Sequence, residues 1–335
     1  MFTGLQLPNQ YALSKLNLKA AIEDLNKAKE DIAINVTSSY LQVLFNMELS
    51  KVAASQTELS KEQCKRIIRL AEVGKASSAE VAEAKARVAQ DEMSLVQAEN
   101  NYQLALLDLS QLLELPTPEG FTLAQPDTVV NFAPLTAPDD IYTEALSNKP
   151  GIRAAQFRLE GSEKSIRIAQ SNYYPQLSFG ASIGTNFYTL NGSAEHSFGS
   201  QLKNNLNKGI GFNLSVPLFN RLATRNRVRS ARLQQTNLAL QLDNTKKVLY
   251  KEIQQAWYNA AASESKYTSS STAASASEAS FRLMSEKYEN GKANAVEYNE
   301  AKQNLMQAQS DELQAKYEYL FRTKILDFYK GEPIE

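Results

Sequence analysis

Cys64 and His196 are the only cysteine and the only histidine in 335 residues, so a single thiolate and imidazole are all the Cys-His chemistry available. A working dyad needs the base within hydrogen-bond reach of the thiol. Cys64 lies ten residues before Gly74 in a helical stretch, whereas His196 lies in a polar loop between two strands. The predicted topology sets them at opposite ends of the molecule, on the order of 100 Å apart at about 1.5 Å per helical residue. Cys64 therefore reads as a packed thiol and His196 as a loop histidine. An internal disulfide needs a second cysteine and a structural zinc site about four ligands, and neither is available. The phosphate loops GxxxxGK[ST] and GxGxxG are absent. No enzymatic activity, metal or cofactor is expected.

Charge gives the next exclusion. Lys and Arg number 36 against 37 Asp and Glu, a net charge of −1, which exerts no general pull on nucleic acid. The acidic residues are nonetheless placed with regularity: Glu80 and Glu83 follow Gly74 by six and nine residues, and Glu297 and Glu300 follow Gly291 by the same intervals. On residue type alone such glutamates are the wet face of a helix.

The elements that carry these residues are announced by where Gly and Pro are missing. Asn9 to Val73 is free of both for 65 residues, Arg221 to Asn290 for 70, Lys75 to Leu115 for 41 and Lys292 to Lys330 for 39. The spacing predicts helices of about 100 Å and about 60 Å. A shift of 217 residues lays the first third on the last: GKASSAEVAEAK (Gly74 to Lys85) falls on GKANAVEYNEAK (Gly291 to Lys302), with seven of twelve positions identical. A hairpin of one long and one shorter helix therefore occurs twice, turning each time at a glycine, the residue that most cheaply takes the left-handed conformation after a helix. After the first turn Val81, Ala84, Val88, Leu95, Ala98, Tyr102, Ala105, Leu109 and Leu112 follow a heptad seam, interrupted only by Asp91. Thr268 to Ser280 has the composition of a linker, but the repeat sets it against Lys51 to Gln63, inside a long helix.

Between the hairpins the pattern changes. Residues 114 to 138 hold five of the ten prolines, which stops the rod, and a shorter helix is predicted over 139–172, interrupted at Lys149-Pro150-Gly151. Then Leu177, Phe179, Ile183 and Ile210, Phe212, Leu214, Val216 alternate with Ser, Gly and Asn, predicting two strands with one apolar and one small polar face. About ten residues is the length of a tilted outer-membrane strand, and Tyr173, Tyr174, Phe187, Tyr188 and Phe219 cluster where an aromatic girdle would sit. A soluble amphipathic hairpin shows the same alternation, so periodicity alone leaves both readings open. No run of eighteen apolar residues exists, and MFTGLQLPNQ carries no signal-peptide pattern.

Tyr288-Glu289-Asn290-Gly291 at a tip, Tyr174-Pro175-Gln176-Leu177-Ser178 at a strand entry and Val216-Pro217-Leu218-Phe219-Asn220 leading into an Arg-rich helix, in this order and with this duplication, resemble the TolC-like outer-membrane efflux proteins. The resemblance covers essentially the whole chain. It implies a mainly α fold with a β-hairpin: 1–113 a first helical hairpin (tip 71–78), 114–138 a Pro-rich equatorial linker, 139–172 a shorter helix, 173–219 a transmembrane β-hairpin, 220–330 a second helical hairpin (tip 288–295) and 331–335 a tail. The long antiparallel hairpins would form part of a trimeric α-barrel and the two strands part of a β-barrel in the cell outer membrane. It further implies a homotrimer that is a passive exit duct for small molecules or proteins in a tripartite system, with an inner-membrane pump and a periplasmic adaptor. Docking of the adaptor is expected at Val73, Gly74, Lys75, Asn290, Gly291 and Lys292. Glu297 and Glu300 match acidic rings that constrict the tunnel, Glu80 and Tyr288 match a clasp between hairpins, and Leu177, Phe179, Ile183, Ile210, Phe212, Leu214 and Val216 would face lipid.

Two departures accompany the resemblance. The basic member of the clasp is replaced by Ala293, and two strands per chain are half of what the family barrel takes from each protomer. Met1-Phe2 aligns with Leu218-Phe219, which predicts an upstream leader, helix and strand pair beyond this chain. Arg221, Arg225, Arg227, Arg229 and Arg232 sit after the strands, where lipid head groups or periplasmic water would meet them. The rival reading is a soluble coiled-coil protein with a dimerisation or adhesion hairpin.

Overall fold

The computed structural model describes residues 2–115, 123, 132, 134–189 and 197–332. The elements run β1 (Phe2–Thr3), α1 (Gln6–Glu72), α2 (Ser78–Leu112), α3 (Pro138–Asn148), α4 (Pro150–Ser171), β2 (Gln176–Gly184), α5 (Phe198–Asn204), β3 (Asn207–Ser215), α6 (Ala223–Glu289) and α7 (Ala295–Lys330). Both α1 and α6 have 67 residues, and their ends are related by the 217-residue shift, Gln6 to Ala223 and Glu72 to Glu289. Pro8 falls in the first turn of α1, where its missing N–H costs no hydrogen bond. The small-residue stretch Thr268 to Ser280 lies within α6.

The chain divides into two compact units, residues 1–26 with 150–247 and residues 27–149 with 248–335. In the first unit α4 lies close on the start of α1: a methyl on Gly161 would stand 3.1 Å from Leu13 Cδ1. Arg153 reaches Glu23 at 2.9 Å and Arg158 pairs with Asp24. The sheet belongs to this unit and has the order β1-β2-β3, all antiparallel. Its register sets Leu177 opposite Leu214, Phe179 opposite Phe212 and Ala181 opposite Ile210 on one face. Ser178 opposite Asn213, Gly180 opposite Gly211 and Ser182 opposite Gly209 make the other. The Phe179 and Phe212 rings lie 5.1 Å apart, a cross-strand aromatic pair.

Three sequence expectations are corrected here. The sheet has a third strand, because Phe2 and Thr3 pair with Leu177 and Gln176. Val216, expected in the second strand, lies just beyond it: the ladder ends at Ser215, before Pro217, which has no N–H to donate. The segment Thr189 to Lys208, expected to be loop, contains α5, opened by the Ser197 side chain accepting from the Ser200 backbone N–H. Residues 190–196, His196 among them, lie outside the described set, as does most of the Pro-rich linker.

In the second unit Val43, Ala105, Leu106 and Leu109 form an apolar core between α1 and α2, with Val36, Tyr40 and Tyr102 packed on it. The helix pair α3 and α7 is joined through Lys149, whose ammonium donates to the Phe328 carbonyl at 2.9 Å, pairs with Glu30 at 3.4 Å and lies over the Phe328 ring. Burial pushes its pKa below that of a free lysine, against the opposing pull of Glu30. Tyr250 donates to Asp139 at 2.9 Å and brings α6 to the same junction.

Candidate functional site

Both hairpin tips belong to the second unit and are built alike. Gly74 and Gly291 take φ of +74° and +69°, left-handed values that free the chain to reverse. Lys75 donates to the Leu70 carbonyl at 2.7 Å and Gly74 to Ala71 at 3.0 Å; Lys292 and Gly291 repeat this with Lys287 and Tyr288 at 2.8 and 3.1 Å. Each helix thus ends in a Schellman motif. The returning helices open on capping boxes. Ser77 accepts from the Glu80 amide while the Glu80 carboxylate accepts from the Ser77 amide at 2.6 Å, and Asn294 and Glu297 do the same with both bonds at 2.9 Å. The Ser77 amide bond holds the Glu80 carboxyl below its ordinary pKa, helped by the Ser77 hydroxyl.

The structure brings Glu80 and Tyr288 to the walls of one cleft of about 40 Å³ between the two hairpins, together with Cys64, Tyr298 and Lys302. Among the described residues no hydrogen bond joins the two. Tyr288 instead stacks on Tyr298, with centroids 4.8 Å apart, and receives the Arg66 guanidinium at 6.0 Å. Arg66 also donates to the Glu289 carbonyl at 3.0 Å, so α1 holds the end of α6 from a second side. Burial pushes the Tyr298 hydroxyl up to about 12, with Tyr288 and Glu289 adding to the shift.

Glu297 and Glu300 are separate from that cleft. They are exposed and line a groove of about 360 Å³ on the second hairpin, with Ser277, Ser280, Met284 and Asn304. The tip residues Val73, Gly74, Lys75, Asn290, Gly291 and Lys292 are all exposed, and Val73 borders a surface groove with Lys65, Arg66 and Arg69. The candidate lipid-facing residues Leu177, Phe179, Ile183, Ile210, Phe212 and Leu214 are exposed on the sheet. Ile183 sits opposite Lys208 at its far end.

Residue reasoning missed what holds the cleft shut. Behind it Lys302 is buried and its ammonium donates to Asp91 Oδ2 at 2.9 Å, to the Gln56 carbonyl at 3.3 Å and to Ser60 Oγ, which in turn donates to Asp91. All three ammonium donors are used, and helices α1, α2 and α7 meet at one point. Burial lowers the Lys302 pKa, and Asp91 opposes that shift. The one visible signal was Asp91 itself, the single polar residue in an otherwise apolar seam.

Among the described residues no cluster of three or more His, Cys, Asp or Glu side chains could hold a metal. Nor is any described helix long and apolar enough to cross a membrane.

Comparison with known proteins agrees with this architecture. Residues 1–114 and 141–331 match the family described as outer membrane efflux protein. The outer membrane protein TolC of Escherichia coli is 23% identical over 319 residues, which are 92% of this chain and 63% of that protein. The pyoverdine export outer membrane protein OpmQ of Pseudomonas aeruginosa is 26% identical over 208 residues, 61% of this chain and 41% of that one. The chain thus spans less than two thirds of the length of either relative. In fold it is similar to the outer membrane protein VceC of Vibrio cholerae, with TM-score 0.79 and 19% identity over 99% of this chain and 77% of that one. The mainly helical fold with a small antiparallel sheet is the expected one, an outer-membrane location follows, and the soluble coiled-coil reading falls away. A match over both helical hairpins, the sheet and the short helices between them places this chain in the outer membrane efflux protein family.

Proposed function

We propose that the chain is the protomer of a homotrimeric channel, a passive exit duct through the outer membrane for small molecules or proteins. In this reading a periplasmic adaptor docks at the tips, at Val73, Gly74, Lys75, Asn290, Gly291 and Lys292, and an inner-membrane pump supplies the energy. The observation that carries it is the sheet. Cross-strand pairs put Leu177, Leu214, Phe179, Phe212, Ala181 and Ile210 on one exposed face, which ends at the Ile183–Lys208 pair, and Gln176 with Ser, Gly and Asn residues on the other, the division that a lipid-facing and a water-facing surface need. Glu297 and Glu300 are the proposed constriction: three protomers would set rings of carboxylates there and favour cations. Glu80 and Tyr288, which both line the tip cleft, are the proposed clasp.

The test is conductance of the purified protein in planar lipid bilayers under a salt gradient. A cation-preferring conductance is expected, with the preference weakened in Glu297→Gln/Glu300→Gln. Absence of conductance from correctly folded protein contradicts the proposal.

A further inference from the structure

Three helices meet the sheet at one end: β1 leads into α1, α4 leads into β2, and β3 leads into α6. The pairing of Thr3 with Gln176 and of Gln176 with Ser215 fixes that end. Here the apolar face of the sheet gives way to the exposed rings of Tyr173, Tyr174 and Phe219. Arginines follow. Arg221 stands in the turn before α6, and Arg225, Arg227, Arg229 and Arg232 lie within about 15 Å of the helix start. All five are exposed, and among the described residues none of their guanidiniums has an ion-pair or hydrogen-bond partner. Acidic residues are missing around them: α6 has none before Asp243, α4 none after Glu163, and the first 22 residues of the chain none at all.

The fold does not need these charges. The duplication sets Arg225, Arg227 and Arg229 on Pro8, Gln10 and Ala12 of α1, which builds the same 67-residue helix without them. The charges are also held at a cost. Arg221 takes φ of +52°, in the left-handed region, where its counterpart Gly4 takes +59°. Glycine is required at the first site, since a Cβ on Gly4 would stand 2.5 Å from the Ser171 carbonyl oxygen. At the second site glycine would be the less strained residue, and arginine stands there instead. Arg225, Arg229 and Arg232 recur at i, i+4 and i+7, so three like charges share one stripe of the helix and repel. Backbone strain and a self-repelling stripe in one place point to function, and an anionic surface against this end of the sheet offsets both.

We propose that Arg221, Arg225, Arg229 and Arg232 form a belt that takes the phosphates of anionic phospholipids in the periplasmic leaflet of the outer membrane. Apolar strand face, aromatic turn and guanidiniums follow one another as acyl chains, interface and phosphates do across a leaflet. Guanidinium groups fit phosphate oxygens in bidentate pairs, and each basic residue at an anionic membrane surface adds to the attraction. The belt rests on the lipid-facing reading of the sheet.

The experiment uses the full chain with Trp257→Phe and Leu218→Trp, reconstituted into phosphatidylcholine vesicles. Trp257 is the only tryptophan and falls on Tyr40 in the repeat, so an aromatic ring suffices there, and Leu218 is 93% exposed beside the belt. Quenching of the introduced indole is compared for phosphatidylglycerol and phosphatidylcholine, each brominated on its acyl chains and added at the same mole fraction. A preference for phosphatidylglycerol of about fivefold or more is expected, the effect of one basic residue or more at an anionic surface. Arg221→Gln/Arg225→Gln/Arg229→Gln/Arg232→Gln should abolish it with the circular dichroism unchanged, and lysine at the same four positions should keep most of it. Lys246→Gln/Lys247→Gln, further along the same helix, should leave it unaltered. A preference that survives the four glutamines overturns the assignment to these arginines. Equal quenching by both lipids in the unsubstituted belt means that the guanidiniums meet water, which overturns the belt and leaves the sheet in lipid. Quenching by neither lipid takes the sheet out of the bilayer and contradicts the channel reading together with the belt.

Discussion

Lys302 Nζ stands 2.9 Å from Asp91 Oδ2, and the two side chains are only 2% and 7% exposed, although 211 residues separate them in sequence. Three helices converge on this pair, so its loss should act on the hairpins as a unit. Lys302→Met leaves Asp91 buried with only Ser60 and, at 3.6 Å, Arg87 to compensate. We expect a loss of about 3 kcal/mol, the low end for breaking a buried pair. Asp91→Leu/Lys302→Met should recover most of it, because apolar replacement of a buried pair is often neutral. Urea unfolding followed by circular dichroism measures both. A single variant as stable as wild type contradicts the pinning role.

The tips depend on caps more than on packing, since Ser77 and Asn294 are exposed. Ser77→Ala and Asn294→Ala should each cost about 1 kcal/mol. The loss should appear as faster hydrogen exchange at the Glu80 and Glu297 amides, with the distant core of Val43 and Leu109 unchanged. Because the folded Glu80 pKa is depressed, its contribution is present above the ordinary glutamate pKa and is lost as pH falls through the lowered value. Exchange at the first tip should therefore quicken on acidification, and pH-independent exchange there would contradict the capping assignment.

Alkali should act through tyrosine. Burial pushes Tyr298, Tyr317 and Tyr329 up to about 12, with nearby carboxylates adding to the shift at each. A raised folded pKa means that the fold retains this stabilisation below the unfolded value near 10 and loses it as pH climbs toward 12. Phenolate absorbance should show these tyrosines titrating late, together with loss of helical signal, and Tyr298→Phe should remove one late phenol without unfolding the protein. Titration of every tyrosine near 10 with the helices intact would contradict their burial.

The exposed sheet face makes an asymmetric prediction. Phe212→Arg, if it lies near the bilayer midplane, should cost about 2–4 kcal/mol and block assembly into membranes, whereas Asn213→Arg on the other face should assemble. Heat-modifiable mobility of membrane fractions reads the outcome. Equal tolerance at both positions would deny that either face meets lipid.

The helical part of this fold was legible for a physical reason: nothing breaks α1 or α6, and a repeat carried at constant spacing transfers boundaries from one copy to the other. The alternation of Phe179, Phe212 and their neighbours likewise revealed a sheet face. The two-residue strand β1 was not legible, because Phe2 and Thr3 are too few to show a period and pair only through tertiary context. The helix α5 was hidden in a polar loop. Asp91 was visible as an anomaly, but its partner was not, since Lys302 sits among other charged residues past the second tip and nothing local marks it as buried. Glu80 and Glu297 were singled out by position, and their capping role emerged only with the backbone geometry of Ser77 and Asn294.

The proposed channel sets the sheet in the outer membrane with the β2-to-β3 connection on its outer side, and thiol accessibility tests this most directly. A Lys203→Cys variant, in the exposed α5 segment, should react on intact cells with a membrane-impermeant maleimide, while the buried Cys64 stays unlabelled until the protein is unfolded. Labelling of the introduced thiol only after cell breakage, with normal expression and a folded protein, would contradict the account.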